Sequence, residues 1–99
     1  RMIDKIKWGV LGAANIAVEK VIPAMQKGQY SEITAIASRD LSKSRKIAEK
    51  MKISSAYGSY EELLDDKNID AVYIPLPNHL HVEWSIKCME AGKHVLCEK

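Results

Sequence analysis

The chain has 99 residues, of which 46% are hydrophobic and 28% charged, and its 15 basic and 13 acidic side chains leave a formal charge of +2. These values fit one globular domain, and the interleaved charges form no concentrated basic face of the kind that binds nucleic acid. No apolar run approaches the ~20 residues that span a bilayer, and no apolar stretch follows the N-terminal charges as in a signal peptide, so we expect neither a membrane protein nor an exported one.

The first predicted strand covers residues 6 to 11, an apolar run that leads straight into Gly12. Apolar residues then recur mostly at helical spacing, so a helix is predicted over residues 15 to 27, with Gly28 as its C-terminal stop. Pro23 lies inside this helix and should remove one backbone hydrogen bond, which would kink or split the last turn.

The second predicted strand, residues 33 to 37, is rich in small and β-branched residues, as expected when both faces of a parallel sheet are covered. Residues 38 to 40 leave the sheet, and Ser42 is the predicted N-cap of a helix over residues 43 to 51. Residues 56 and 57 are too short a run to predict a strand by themselves.

A short helix is predicted to start at Ser59, which stands three residues before Glu62 as in a capping box. A further strand is predicted over residues 70 to 74. The prolines of the Pro75-Leu76-Pro77 segment after it prevent continuation of either sheet pairing or a helix.

Asn78 is the predicted N-cap of the next helix, and Gly92 is its C-terminal stop. Because its apolar residues cover most of the helix perimeter, we expect this helix to be well buried: Leu80, Val82, Trp84, Ile86, Cys88 and Met89. The last predicted strand covers residues 94 to 97. Strands that alternate with helices at this spacing predict an α/β fold, a doubly wound parallel sheet between two layers of helices.

The first strand-to-helix junction partly matches the dinucleotide-binding pattern GxGxxG/A. Gly12 and Ala17 keep the first and third positions, whereas Ala14 replaces the second glycine. A strand before and a helix after leave helix N-terminal amides free to hold a pyrophosphate. The candidate contacts are Gly12, Ala13, Ala14, Asn15 and Ile16. The alternative is a tight turn whose small residues serve only helix-strand packing.

The second candidate segment follows the second strand, where the adenosine ribose of a bound dinucleotide would lie. An Asp or Glu at that point would favour NAD, but the chain has Ser38 and Arg39, whose hydroxyl and guanidinium suit a 2′-phosphate. Lys43, in the first turn of the next helix, would add a third contact. NADP(H) is therefore favoured, and NAD(H) stays possible. The alternative is that Arg39 and Lys43 are ordinary exposed charges.

The third candidate segment is the Pro75-Leu76-Pro77 loop, which stands at the carboxyl end of a parallel strand, where open α/β sheets bind ligands. Its stiff backbone is suited to lining a planar ring. His79 and His81 are two apart at the start of a helix and do not share a face, so no metal site is predicted. A helix-capping role is the simpler interpretation of His79.

The fourth candidate segment is Glu98 and Lys99, after the last strand and again at the carboxyl edge. The Lys99 ammonium would lie beside the nicotinamide site, bond a substrate hydroxyl or carbonyl and help to move a proton. A Glu-Lys pair is otherwise commonplace. Cys97 is predicted to be a small buried filler. With Cys88 it makes two cysteines without CxxC spacing, which indicates reduced thiols in the cytoplasm.

With all four segments in order, the chain resembles the N-terminal NAD(P)-binding domain of the Gfo/Idh/MocA oxidoreductases, which include glucose-fructose oxidoreductase and inositol dehydrogenase. The resemblance covers Lys7 to Lys99, and its motifs are Trp8-Gly9 through Ala17, Ser38-Arg39-Asp40, Pro77-Asn78 with His81, and Ala91 through Lys99.

This resemblance implies a Rossmann-type fold and a role for each end of the site. Lys99 matches the lysine of the family's Glu-Lys-Pro motif, which is implicated in substrate binding and catalysis, and Glu98 matches its glutamate. Pro77 and Asn78 match the segment that approaches the nicotinamide, and Pro75, Leu76 and His81 are counted with it as cofactor-binding candidates. Ala14 departs from the glycine that many members have.

Family members also carry a second α/β domain that supplies the rest of the substrate pocket and mediates oligomerisation. Since the chain stops before the proline of the motif, residues 1 to 99 are expected to be an incomplete NAD(P)-binding Rossmann domain without turnover of its own. We also expect the 99 residues alone to self-associate through the uncovered edge of the last strand.

The full-length protein is expected to be an NAD(P)-dependent, NADP-preferring dehydrogenase of a sugar, polyol or related alcohol or carbonyl, and a homo-oligomer through its second domain. The alternative within the same fold family is a non-catalytic NAD(P)-sensing regulatory protein. A free-standing small α/β binding module is a third and weaker interpretation. The residues alone leave the substrate undetermined.

Overall fold

A computed structural model describes residues 6–12, 22–27, 31–76 and 78–97 of the chain. In these ranges strands and helices alternate, as the sequence predicts. They are β1 (Ile6–Leu11), α1 (Ile22–Gln26), β2 (Ser31–Ala37), α2 (Leu41–Met51), β3 (Ser55–Tyr57), α3 (Tyr60–Leu64), β4 (Ala71–Ile74), α4 (Asn78–Glu90) and β5 (His94–Cys97). No helix within them is long and apolar enough to cross a membrane.

The five strands form one parallel sheet in the order β3-β2-β1-β4-β5. The chain therefore builds the sheet outward from β1 in one direction and then returns to β4 on the other side of β1. This reversal defines a doubly wound Rossmann-type sheet, so the predicted fold class is confirmed. One irregularity in register lies between Trp8 and Gly9, where Trp8 pairs with Ile33 and Gly9 with Ala35.

Two hydrophobic clusters lie on opposite faces of the sheet. One contains Val10, Ile36 and Tyr73 from the strands together with Ile22 of α1 and Ala48 of α2. The other packs strand side chains of the opposite face against α3 and α4, and it consists of Leu11, Ala35, Ala37, Tyr60, Leu63, Leu64, Ile69, Val72, Ile74, Trp84 and Cys88. Helices therefore cover both faces, which gives the three layers that the alternating pattern predicts.

Helix α3 lies unusually close to the sheet because β1 has no side chain at Gly9. A Cβ built there would stand 2.6 Å from Cδ2 of Leu63, closer than real contacts allow. Leu63 is fully buried in this position. The glycine thus serves close packing of a helix on the central strand.

The predicted caps are partly confirmed. Ser59 accepts a hydrogen bond from the amide of Glu62, as expected for the capping box. The Ser42 cap is wrong: α2 begins at Leu41, and Asp40 accepts a hydrogen bond from the Ser42 amide. Asp and Ser stabilise a helix N-terminus about equally well, so the residue type alone does not determine which of the two is the cap.

The predicted role of Asn78 as a cap is also wrong, because Asn78 is the first residue of α4. Helix α4 therefore starts one residue earlier than predicted. The predicted stop is confirmed: Gly92 has a φ of +80°, and the Lys93 amide donates to the carbonyl of Cys88.

Helix α4 is much less buried than the sequence predicts. Trp84 and Cys88 are buried, but Val82, Ile86 and Met89 are 71%, 48% and 59% exposed. These three residues are spaced i, i+4 and i+7, so they form one apolar stripe on the side of the helix opposite Trp84. The sequence shows that α4 has apolar residues around most of its perimeter, but it does not show which of them pack against the sheet.

The connection between α3 and β4 is held by a small polar network. The Tyr57 hydroxyl donates to Oδ2 of Asp66 over 2.6 Å, and the Asn68 amide donates to Oδ1 over 2.9 Å. Nζ of the buried Lys93 donates to the carbonyls of Asp66 and Ile69, both at 2.8 Å. The Tyr57 bond is the main cause that lowers the pKa of Asp66, and the same bond raises the pKa of Tyr57.

This network predicts an acid-sensitive part of the folding stability. Because the folded-state pKa of Asp66 is lowered, its stabilisation is present above the ordinary carboxyl pKa and is lost as the pH falls through the folded-state value. Tyr57→Phe should therefore lower the free energy of unfolding by about 1 kcal/mol at neutral pH and flatten its decline below about pH 5. Urea denaturation of both proteins across this pH range measures the difference, and identical acid limbs would contradict the prediction.

A second prediction concerns the edge strand β5, which pairs with β4 alone in the described part of the chain. We expect residues 1 to 99 by themselves to self-associate by pairing at this edge. Leu96 on β5 and Ile86 on α4 are both 48% exposed, which makes them a matched pair. Leu96→Lys should disperse the assembly and Ile86→Lys should not, as light scattering at micromolar concentration would show. A strictly monomeric wild-type chain would refute the expectation.

Candidate cofactor-binding site

The carboxyl ends of β1, β2 and β3 are tied together by backbone hydrogen bonds that continue past the strands. The Gly12 amide donates to the Ala37 carbonyl over 2.7 Å, and the Ser38 amide donates to the Tyr57 carbonyl over 3.2 Å. Three segments that are far apart in sequence therefore meet at one edge of the sheet. It is the edge at which open α/β sheets bind ligands.

Gly12 is required both by its backbone and by its surroundings. Its φ of +109° is a conformation that side chains disfavour, and a Cβ there would come within 3.0 Å of Cδ2 of Leu76. Leu76, from the proline-rich loop after β4, thus lies against the first turn after β1. Its positive φ allows the tight turn after β1, which is the role of the first glycine in a dinucleotide-binding turn.

The hydroxyl of Ser38 is committed to the protein itself. It donates to the Asp40 carbonyl over 2.6 Å, accepts from the Asp40 amide over 3.2 Å and lies 2.8 Å from the Ser44 hydroxyl. Since the single Ser38 proton goes to the carbonyl, Ser44 is the donor in the last contact. Ser38 and Ser44 are both buried. These bonds fix the turn after β2 and leave the Ser38 hydroxyl no proton to offer a phosphate.

This turn and the starts of the helices next to it line a cavity of about 250 Å³. Its lining consists of Ser38, Arg39, Asp40, Lys43 and Tyr60. The predicted candidates Ser38, Arg39 and Lys43 are therefore brought together, and the two cations are exposed beside one another. Such a pair provides the donors and the charge that a phosphomonoester requires.

Tyr60 is a site residue that the sequence pattern does not indicate. It is buried at the start of α3, its ring centroid lies 6.0 Å from the Arg39 guanidinium carbon, and it meets the Trp84 ring edge to face at 5.0 Å. Tyr60 directly follows the helix cap Ser59, and this position in the sequence does not indicate what the Tyr60 side chain contacts. Only the packing of α3 against α4 brings the ring to the cavity.

The loop after β4 is braced by His81. Its Nε2 donates a hydrogen bond to the Leu76 carbonyl, which joins the first turn of α4 to the loop. Pro75 and Leu76 are partly buried, whereas Asn78 and His79 are exposed on α4. Among the residues that the structure describes, no group of three or more potential ligands could hold a metal ion.

Several predicted site residues fall outside the described ranges: Ala13, Ala14, Asn15, Ile16, Pro77, Glu98 and Lys99. Their assignments stay predictions. A separate cavity of about 520 Å³ lies elsewhere, between the connections that precede β4 and β5. It opens at the amino ends of these strands and is therefore remote from the candidate site.

The described residues fit a nicotinamide dinucleotide with a 2′-phosphate. Gly12 allows the tight turn after β1, and Arg39 and Lys43 supply cations near the end of β2. The two residues that directly follow β2 are Ser38 and Arg39, and neither is the Asp or Glu that would accept bonds from an unphosphorylated ribose. The donor set is therefore better suited to NADP than to NAD.

The family model GFO_IDH_MocA, described as an oxidoreductase family with an NAD-binding Rossmann fold, matches residues 6–99. An uncharacterised oxidoreductase from Rhizobium meliloti is 58% identical over 97 residues, which are 98% of this chain and 29% of that protein. A D-xylose 1-dehydrogenase (NADP(+)) from Haloferax volcanii is 52% identical over 92 residues, 93% of this chain and 28% of that protein.

Among solved structures, a 3-ketoreductase from Actinomadura kijaniata in complex with TDP-benzene and NADP superposes with a TM-score of 0.91. It is 42% identical and the match covers 97% of this chain and 30% of that one. The chain thus spans less than a third of the length of these relatives.

Proposed function

The chain belongs to the GFO_IDH_MocA oxidoreductases, the family with an NAD-binding Rossmann fold, and from this membership we propose that it is the NADP-binding domain of a dehydrogenase or reductase that acts on a sugar or a related alcohol or carbonyl. The relatives reported above are oxidoreductases, which favours the enzyme over a cofactor-sensing regulator. The 3-ketoreductase and the D-xylose dehydrogenase support the sugar class of substrate.

Residues 1 to 99 correspond in this proposal to an incomplete Rossmann domain. The match to less than a third of each relative supports this, because those relatives have some 70% of their length outside the matched part. The remaining part would complete the substrate pocket, and residues 1 to 99 alone would lack turnover. We propose that the complete protein is a homo-oligomer and, from the two cysteines without CxxC spacing in residues 1 to 99, that it works in the cytoplasm.

The observation that carries the proposal is the cationic cavity at the end of β2. Arg39 stands on a turn whose backbone is held by the buried hydroxyl of Ser38, and Lys43 stands on the first turn of α2 that follows. This geometry supports direct phosphate contacts from Arg39 and Lys43. Ser38, the other predicted phosphate contact, acts instead by holding the turn on which Arg39 stands.

The other end of the site would hold the nicotinamide ring, which accepts or releases the hydride in the redox step. The His81 bond to the Leu76 carbonyl keeps the loop after β4 against Gly12, and this rigidity supports a role in orienting the ring. We propose that Pro75, Leu76, Pro77 and Asn78 line the ring and that Glu98 lies close by. Lys99 would bind the reacting oxygen of the substrate and assist its proton transfer.

The cofactor preference gives the first test. The complete protein should bind NADPH more tightly than NADH, and Arg39→Ala should reduce this preference about 10- to 100-fold, as expected for a lost charge-assisted phosphate contact. Fluorescence titration with both cofactors measures it. Arg45→Ala is a matched control, because Arg45 is an exposed arginine like Arg39 but stands on α2 and does not line the cavity. Equal affinities of the unmutated protein for NADPH and NADH would contradict the proposal.

The catalytic assignment of Lys99 gives a second test. Lys99→Ala in the complete protein should lower kcat by about 10²-fold or more and leave the Kd for NADPH nearly unchanged, because a lost acid-base or orienting group affects the reaction and not cofactor binding. Lys67→Ala, at an exposed lysine between α3 and β4, controls for loss of a positive charge. Near-normal turnover of the Lys99 variant would remove this residue from the mechanism.

A further inference from the structure

The cationic cavity also has one acidic residue in its lining. Asp40 lines it together with Arg39 and Lys43, so a 2′-phosphate bound there would lie close to a negative charge. A phosphomonoester carries a charge of about −1.5 to −2 near neutral pH. A carboxylate at this place repels the group that its two neighbours attract.

Asp40 cannot easily turn away from the cavity, because both its backbone and its side chain are held. Its carbonyl accepts from the Ser38 hydroxyl and from the Ser44 amide, and its own amide donates to the Ser38 hydroxyl. Its Oδ1 accepts from the amide of Ser42 over 2.9 Å. The position of the negative charge is thus fixed by the same turn that presents Arg39.

The capping role of Asp40 does not by itself require a charge. Asn and Ser cap helices about as well as Asp, because each offers an oxygen to the amides of the first turn. A neutral cap would leave the helix intact and the cavity more positive. The charge of Asp40 therefore has a consequence for the ligand that is separable from its role in folding.

We propose that Asp40 is a specificity-determining residue: its fixed carboxylate weakens binding of the 2′-phosphate and so limits the preference for NADPH over NADH. This proposal rests on the proposed function, because it assumes that the 2′-phosphate binds between Arg39 and Lys43. It predicts that the chain binds NADPH less tightly than its two cations alone would allow. NADH, which has no charge at that position, is little affected.

The test compares charge removal at Asp40 with the same charge removal elsewhere on α2. Asp40→Asn should lower the Kd for NADPH about 3- to 10-fold, the scale of two unit charges about 4 Å apart in bulk water, and change the Kd for NADH less than about twofold. Asp40→Ser, a second neutral cap, should do the same. Glu49→Gln removes an equal charge from an exposed position of α2 and should change neither value.

Ionic strength separates this electrostatic effect from a change of structure. The gain in NADPH affinity should shrink as salt is raised from about 0.02 to about 0.5 M, because screening shortens the reach of surface charges. An unchanged or weaker NADPH affinity in both Asp40 variants, an equal effect of Glu49→Gln, or a gain that salt does not alter would each overturn the proposal.

The same titrations distinguish this failure from failure of the proposed function. If Arg39→Ala abolishes the NADPH preference but the Asp40 variants change nothing, the phosphate site stands and only the role of Asp40 is wrong. If the unmutated protein shows no NADPH preference and Arg39→Ala has no effect, the cavity does not bind the phosphate and both proposals fail.

Discussion

Strand β1 is hydrogen-bonded to β2 on one side and to β4 on the other, and Gly12 extends this pairing one residue beyond the strand by donating to the carbonyl of Ala37. From β1 the strand order continues to β2 and β3 on one side and to β4 and β5 on the other. This reversal opens a crevice at the carboxyl ends of the strands. Leu76 reaches across this crevice to Gly12. This central pairing therefore brings Gly12 and Leu76 together at the crevice.

The turn after β2 shows how the fold can place charges without strain. The buried Ser38 hydroxyl bonds both the amide and the carbonyl of Asp40, and the Ser44 amide donates to the same carbonyl, so the backbone polar groups of Asp40 are paired where the polypeptide leaves the sheet. The side chains of Arg39 and Lys43 are therefore not needed to stabilise the turn and remain exposed for a ligand. Tyr60, held by Trp84, lies beneath the arginine and joins the cavity to the core.

Helix α4 has one apolar side that packs on the sheet and another that is exposed. Trp84 and Cys88 bury one side of the helix against the sheet, while Val82, Ile86 and Met89 expose a second apolar side. Exposed apolar residues that form one stripe are more informative than scattered ones, because they share a single potential contact surface. The hydrophobic perimeter of α4 therefore contains two distinct faces, of which the described residues pack only one.

The sequence alone determined four of the five described strands, most of the helices and the fold class, because alternating buried strands and amphipathic helices carry their own periodicity, whereas the three-residue β3 was too short to predict. It also placed Gly12 and Arg39 correctly just after strands and Lys43 in the first turn of the following helix, since turn chemistry and charge are local features. Only the tertiary structure decided the use of the Ser38 hydroxyl, the cap at Asp40, the place of Tyr60 and the exposed side of α4. Each of these depends on which groups distant in sequence come within hydrogen-bonding or packing distance, and local residue patterns do not contain that information.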